Sequence, residues 1–454
     1  MPSDNQIIKP ITDHIGKRRT FAIISHPDAG KTTLTENILL QSGAINMAGQ
    51  VRAKANSRRT TSDFIKIEKD RGISVSTSAM SFQFKDFWLN LVDTPGHADF
   101  SEDTYRTLTA VDFVVMIIDG AKGIESQTRK LFEICRLRDL PIITFCNKMD
   151  RESRSIIEII DEIQEELALE VTPLNCPVGL GKDFIGCYQM KTKMIDLIDK
   201  HNKTDKHMVR EIDPKDTKEL FQKISKEDWE RTCEDISMIN TLTPTFKIND
   251  FLHGSLTPLF FGSAIFSFGI TQLLDAIGNL GPQPKSRPSH KRAVNPNEEH
   301  VSGFVFKVQA NMDHKHRDRI AFVRLCSGKF KRGMKLFHVR SGKLITISNP
   351  IFFLAQDRNI LDEAWAGDII GIPNHGQFMI GDSFTEREDL KFLGIPSFAP
   401  EILKKVSTLD PLKAKHLEKA LKQFAEEGVM KLFISESTDI KIIGVVGPLQ
   451  LDVL

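Results

Sequence analysis

Ser25-His26-Pro27-Asp28-Ala29-Gly30-Lys31-Thr32, continued by Thr33, combines small residues with one lysine and two hydroxyls. An apolar run, Thr20 to Ile24, precedes it, and Leu34, Ile38 and Leu39 follow at helical spacing. A loop between a strand and a helix can turn its backbone N–H groups inward, and the helix N-terminus adds partial positive charge. Such a loop is a cradle for phosphates. Lys31 would reach the outer phosphates and Thr32 would hold Mg²⁺. Ser25 stands where such loops usually carry their first glycine.

Two further clusters follow strand-like runs. Phe87 to Val92 leads into Asp93-Thr94-Pro95-Gly96-His97. An acid in that position can hold Mg²⁺, commonly through a water, and the glycine N–H can meet a γ-phosphate. Pro141 to Phe145 leads into Asn147-Lys148-Met149-Asp150. The Asp150 carboxylate can accept from the N1–H and 2-amino group of guanine, a pair that adenine lacks. Asn147 can contact the base edge, and the Lys148 stem can lie across its face. Gly262-Ser263-Ala264, after Leu259 to Phe261, can offer a backbone N–H to the guanine O6. Each motif is short. Their order, each behind a strand, points to GTP over ATP.

The elements that must carry these loops alternate. Val111 to Ile118 reads as a further strand, and Leu131, Ile134 and Leu137 mark a helix after it. Ile156, Ile160, Ile163 and Leu167 mark another. Nearly continuous apolar strands between helices predict a buried, mostly parallel sheet with helices on both faces. Residues from about 182 to 255 are polar with weak periodicity and read as a partly helical insertion. Gly281 to Glu299, with four prolines, reads as a linker. From about 300 to 390, short strands and frequent glycine turns predict a small antiparallel barrel. In the last segment Leu417, Leu421 and Phe424 mark a helix that Gly428 is placed to cap, followed by strands at Val429 to Ile434 and Lys441 to Val446.

The chain has 454 residues, about three domains at ~150 residues each. A formal net charge of +1 gives no reason to expect a partner recognised by bulk charge, so nucleic-acid contact would need a local basic face. No apolar run reaches the ~18 residues of a membrane span, and no membrane partner is expected. Six scattered cysteines form no CxxC pair, which disfavours zinc or a redox dithiol and suits the cytoplasm.

The motifs together resemble the translational GTPases, and among these the bacterial peptide chain release factor 3 family, relatives of elongation factor G. Ser25 to Thr33, Asp99 to Asp112 (DFSEDTYRTLTAVD) and Gln309 to Arg324 (QANMDHKHRDRIAFVR) carry the likeness. It covers the chain from about Lys17 onward and is weakest at 190–255. It implies an α/β P-loop GTPase domain (1–284), a linker (285–299), a β-barrel domain (300–392) and a partial α+β domain (393–454). The stretch Gly444 to Leu454 resembles the start of the second helix of the family's third domain, so that domain is expected to be incomplete.

The resemblance assigns Ser74 as a second hydroxyl on Mg²⁺ beside Thr32, with Asp93 as the acid. Ile73 and Pro27 fall at the apolar gate positions. His97 falls on the catalytic residue that positions the attacking water, docked by the sarcin–ricin loop of the ribosome. The expected cofactors are GTP/GDP and Mg²⁺. The expected partners are the ribosome, its rRNA and proteins, and class I release factors, which the protein would help dissociate after peptide release as a cytoplasmic monomer. The alternatives are an elongation factor G-like or ribosomal protection GTPase, or a guanine-nucleotide switch without hydrolysis. Arg52, Lys54, Arg58 and Arg59 admit two readings, rRNA phosphate contact or a solvated loop. His314, Lys315, His316, Arg317 and Arg319 admit the same two, at the tip of a barrel hairpin.

Overall fold

A computed structural model describes residues 12–45, 78–95, 101–198, 210–216, 220–310, 319–354, 357–396, 399–408, 410–435 and 440–453. These fall into two compact units. One holds the described residues of 21–62 and 112–282, the other those of 1–20, 63–111 and 283–454.

In chain order the first elements are β1 (Arg18–Ser25), α1 (Lys31–Gln41), β2 (Ser78–Phe84), β3 (Phe87–Asp93), α2 (Ser101–Ala110), β4 (Phe113–Asp119), α3 (Ser126–Leu137), β5 (Ile142–Asn147) and α4 (Ile156–Leu167). Then come β6 (Glu170–Pro173), β7 (Asn175–Val178), β8 (Gly186–Gln189), β9 (Ile195–Leu197), β10 (Arg210–Ile212), α5 (Lys226–Leu242), α6 (Ile248–Leu252), β11 (Leu256–Phe261) and α7 (Ile270–Leu280).

In the first unit β1, β4, β5, β11 and β6 pair side by side in that order, all parallel. Every residue of β4, FVVMIID, is buried. Parallel strands covered on both faces need such unbroken β-branched and apolar runs. The register sets Phe21 beside Phe113 and Asp119 beside Asn147, so the ends of β4 and β5 lie level. Helix α4 starts at a capping box: Ser155 Oγ accepts from the Glu158 N–H at 3.2 Å, and Glu158 accepts from the Ser155 N–H at 3.0 Å.

The polar stretch expected to be partly helical does contain α5, but it begins as sheet. Strands β7 to β10 form a four-stranded antiparallel meander. Its strands are three or four residues long, too short for an alternation to stand out. Asp196 of β9 is buried here and accepts from Gln189 Nε2 at 2.6 Å and Gln272 Nε2 at 2.7 Å. Burial raises its carboxyl above the usual range against those two hydrogen bonds, and Glu211 adds to the rise. Gln272 Oε1, also buried, has no hydrogen-bond partner among the described residues.

In the second unit β2 and β3 form an antiparallel hairpin. Within residues 285–299 the short strands β12 (Arg287–Pro288) and β13 (Ala293–Val294) pair. Arg292 there bridges Glu298 and Glu388 at 2.7 Å each, so this proline-rich stretch is braced rather than loose. Next come β14 (Ser302–Ala310), β15 (Arg319–Ser327), β16 (Lys329–Lys331), β17 (Lys335–His338), β18 (Lys343–Thr346), β19 (Ile351–Leu354), β20 (Asp357–Ile360), β21 (Glu363–Trp365), β22 (Ile369–Pro373) and β23 (Ser383–Thr385). Eight of them order as β18-β17-β23-β14-β15-β22-β19-β20, and β16 pairs with β21. Val305, Val323, Phe330, Ile370 and Phe384 lie in their shared core. Along Phe304 to Val308 both faces of β14 are buried, Lys307 included.

Trp365 receives the start of the described chain. The His14 ring stacks on it at 4.2 Å, Lys329 Nζ lies 4.8 Å from its centroid and the Arg18 guanidinium 5.7 Å. Arg18 Nε also meets Asp368 at 2.9 Å.

The last segment comprises β24 (Ile402–Val406), α8 (Ala414–Glu426), β25 (Lys431–Ile434), β26 (Lys441–Val445) and α9 (Pro448–Val453). Its sheet is antiparallel, β24-β26-β25, and Leu421 of α8 packs with Met430, Ile443 and Val445. Helix α2 meets both the barrel and this segment. Lys307 Nζ pairs with Asp103 at 3.1 Å, and Arg106 Nη1 donates to the Gly428 carbonyl at 3.0 Å. Gly428 ends α8 at φ 71°, and a Cβ there would fall against the Arg106 guanidinium. Five cysteines (135, 146, 176, 187 and 326) are buried thiols and Cys233 is exposed.

Candidate functional site

Strand β1 delivers the 25–33 loop and α1 receives it. Ser25 is buried and its hydroxyl donates to the His26 carbonyl at 2.9 Å. The Ala29 N–H also turns back to that carbonyl, at 3.3 Å. His26 Nε2 lies 3.1 Å from Glu125, the residue at the head of α3. Asp28 (φ 67°) and Gly30 (φ 97°) take left-handed backbone. Two such residues around Ala29 curl the chain into a tight loop. Gly30 has no substitute here, because a Cβ would land on the Asn147 amide.

Gly30 also heads α1, and no side chain caps the helix. The first-turn N–H groups of a helix lack intrahelical partners, and they point to where an anion would sit. Lys31 is buried at the head of the helix, while Thr32 and Thr33 are half-buried. Backbone donors, an ammonium and a hydroxyl suit a phosphate chain with a hard divalent cation.

Asn147, at the end of β5, ties two loops together. Its Nδ2 donates to the Ala29 carbonyl at 2.9 Å, and its Oδ1 accepts from the Ala264 N–H at 2.8 Å. The base-edge role expected of Asn147 is thus joined by a structural one. Lys148 (φ 69°) reaches Asp119 Oδ2 at 2.7 Å and the Asp28 carbonyl at 2.5 Å. Burial opposes ionisation of Asp119, but the hydrogen bonds from Lys148, the Ala121 N–H and the Lys122 N–H outweigh it. They hold that carboxyl below its ordinary range. Met149 is buried. Asp150 accepts from Ser263 Oγ. The loops at 25–33, 147–150 and 263–264 therefore form one hydrogen-bonded body within the first unit.

Asp93, Thr94 and Pro95 belong to the second unit, where β3 ends. All three are buried, and the Pro95 carbonyl accepts from Thr104 Oγ1 at 3.3 Å. Gly96, His97, Ile73 and Ser74 lie outside the described residues, as do Arg52, Lys54, Arg58, Arg59 and His314 to Arg317. Arg319 pairs with Glu426 of α8, which adds a partner to the two readings its neighbourhood admits. Among the described residues no group of three or more His, Cys, Asp or Glu could hold a metal ion, and no helix is long and apolar enough to cross a membrane.

Sequence reasoning passed over Asn37, Gln41, Asp119 and Glu125. Asn37 and Gln41 stand four apart on α1, so they share one helix face. Two amides on a face expected to be packed were the available signal. No local pattern marks Asp119 or Glu125: beside near neighbours at 121–122, their partners Lys148 and His26 lie far along the chain.

Three family models match in chain order. Residues 16–283 match the elongation factor Tu GTP binding domain, 300–387 elongation factor G domain 2, and 392–454 the C-terminal domain of class II release factor RF3. A Thermus thermophilus protein of known crystal structure shares the fold, with a TM-score of 0.77 at 22% identity over 96% of this chain. The present chain covers 65% of that protein. Since the first model spans more than half of the residues, the chain belongs to the elongation factor Tu GTP-binding-domain family.

Proposed function

We propose that the chain binds GTP and GDP with Mg²⁺ and hydrolyses GTP when the ribosome activates it, so that a class I release factor dissociates after peptide release. The observation that carries this reading is the single body formed by the 25–33, 147–150 and 263–264 loops. In this reading it would set phosphate donors and guanine-selective groups on one scaffold. The match of residues 392–454 to the RF3 C-terminal domain supports termination over elongation or ribosomal protection.

In this reading the N-terminus of α1 and Lys31 hold the phosphates, and Asp150 reads the guanine edge. Ser263 keeps the Asp150 carboxylate in place. Thr32, Ser74 and Asp93 would hold Mg²⁺ directly or through water, where it would supply charge neutralisation for phosphoryl transfer. Ile73 and Pro27 would gate His97, which positions the attacking water, and the sarcin–ricin loop would bring it into line. Positioning of this kind suits a latent enzyme switched on by a partner. The reading places the protein, as a monomer, in the cytoplasm.

The test is GTP hydrolysis with and without 70S ribosomes, with ATP as control. Wild type should be stimulated strongly and with GTP alone. His97→Ala should still bind GDP but lose about 10²–10⁴-fold of the stimulated rate. Stimulated hydrolysis that survives in His97→Ala would remove the catalytic assignment. GDP binding without any stimulation would favour a switch that does not turn over.

A further inference from the structure

We propose that Asn37 and Gln41 of α1 are positioning residues that set how long a guanine nucleotide stays bound. This rests on the nucleotide reading above and goes beyond it. Helix α1 begins at the phosphate loop. Two turns later its side chains grip the loop that follows β11. Asn37 is 5% exposed, and its Nδ2 donates to the Ala264 carbonyl at 2.9 Å and to the Thr33 carbonyl at 2.8 Å. Its Oδ1 accepts from Ser267 Oγ. One turn on, Gln41 Nε2 donates to the Ser267 carbonyl at 2.9 Å, and Gln41 Oε1 accepts from Thr271 Oγ1 at 2.6 Å.

The loop itself is tightly wound. Ser263 and Phe268 exchange backbone hydrogen bonds at 3.2 and 2.9 Å, and the Ser267 N–H returns to the Ala264 carbonyl at 3.1 Å. Ser267 sits at φ 55°, a left-handed conformation that a serine adopts at a cost. In that conformation its hydroxyl meets Asn37 while its carbonyl meets Gln41. The strain is therefore held by the two amides of α1. Ala264 is tied to α1 through its carbonyl and to Asn147 through its N–H, so the base side and the phosphate side share one helix as their ruler. Loosening the grip lets the base loop move while the phosphate cradle stays, which shortens the stay of the bound nucleotide.

The experiment uses the full chain and the variants Asn37→Ala, Gln41→Ala and Ser267→Gly. Release of fluorescent mant-GDP is followed by stopped flow, and binding of inorganic tripolyphosphate by calorimetry. Loss of two or three buried hydrogen bonds predicts about tenfold faster release in Asn37→Ala and several-fold in the other two. Tripolyphosphate affinity should stay within about twofold of wild type, because α1 still heads the cradle. Release that is unaltered in Asn37→Ala and Gln41→Ala overturns this proposal alone. Tripolyphosphate affinity that falls in step with GDP also overturns it, since the helix rather than the grip would then have failed. A wild-type chain that holds mant-ADP as long as mant-GDP overturns the nucleotide reading and the proposal together.

Discussion

Lys148 Nζ lies 2.7 Å from Asp119 Oδ2, so one ion pair joins the level ends of β5 and β4. The same ammonium reaches the Asp28 carbonyl, and the lysine stem spans the gap between these anchors. A side chain expected only to lie over a base also ties the 25–33 loop to the sheet.

Removing that tie should cost stability in a pH-dependent way. The folded-state Asp119 carboxyl titrates below its unfolded value. The stabilisation is therefore present above about pH 4 and is lost as pH falls through the folded value. Lys148→Met is expected to lose roughly 1–3 kcal/mol at pH 7 in urea unfolding, and the deficit should shrink near pH 3. A deficit that grew on acidification would contradict the assignment.

Asp196 behaves oppositely. Its folded carboxyl titrates above its unfolded value, so folding favours the protonated form and ionisation works against it. Asp196→Asn keeps an oxygen acceptor for Gln189 and Gln272, and its amide can donate to the buried Gln272 Oε1. The variant should be more stable than wild type by roughly 1 kcal/mol at pH 7. The gain should fade as pH falls through the raised folded value and be gone near the usual carboxylate range, about 4. Melting curves at pH 7 and pH 4 check both the sign and the trend.

Gly30→Ala combines a left-handed backbone with a clash against Asn147. It is expected to lower GDP affinity more than tenfold while costing the fold only about 1–2 kcal/mol. Equilibrium titration beside thermal unfolding separates the two effects.

Arg106→Ala should free the end of α8. The substitution removes a buried guanidinium from the Gly428 carbonyl and from the Glu102 carboxylate. Limited proteolysis near residues 426–430 should speed up several-fold, with a loss of about 2 kcal/mol. Gly428→Ala should reproduce the effect through its positive φ and its contact with Arg106. Protection that survives in both variants would mean that α8 is held by other contacts.

Much of the proposed nucleotide site was legible because its demands are local. A phosphate loop needs small residues between a strand and a helix, and 25–33 shows both within a short stretch. The β4 run was legible for a similar reason, since a strand buried on both faces leaves no room for polar residues. Strand β2 could have been read too, as Met80, Phe82 and Phe84 alternate, but its polar neighbours diluted the signal. Lys307 was out of reach. A lysine in a strand argues for a solvated face until its partner, Asp103 of α2, is known, and that partner lies some two hundred residues away. The grip of Asn37 on Ser267 was hidden in the same way, because it needs a left-handed serine that no short pattern announces.

The packing around Trp365 makes that residue a built-in optical reporter. The chain has three tryptophans, and this one has an imidazole stacked on it and two cations near its ring. Burial and the charges of Arg18, Lys329 and Lys17 push His14 below its usual range, which favours the neutral form of the stacked ring. Indole emission then follows whether the segment around His14 is seated on the barrel. Departure of that segment would register as a change in tryptophan fluorescence, with no label attached.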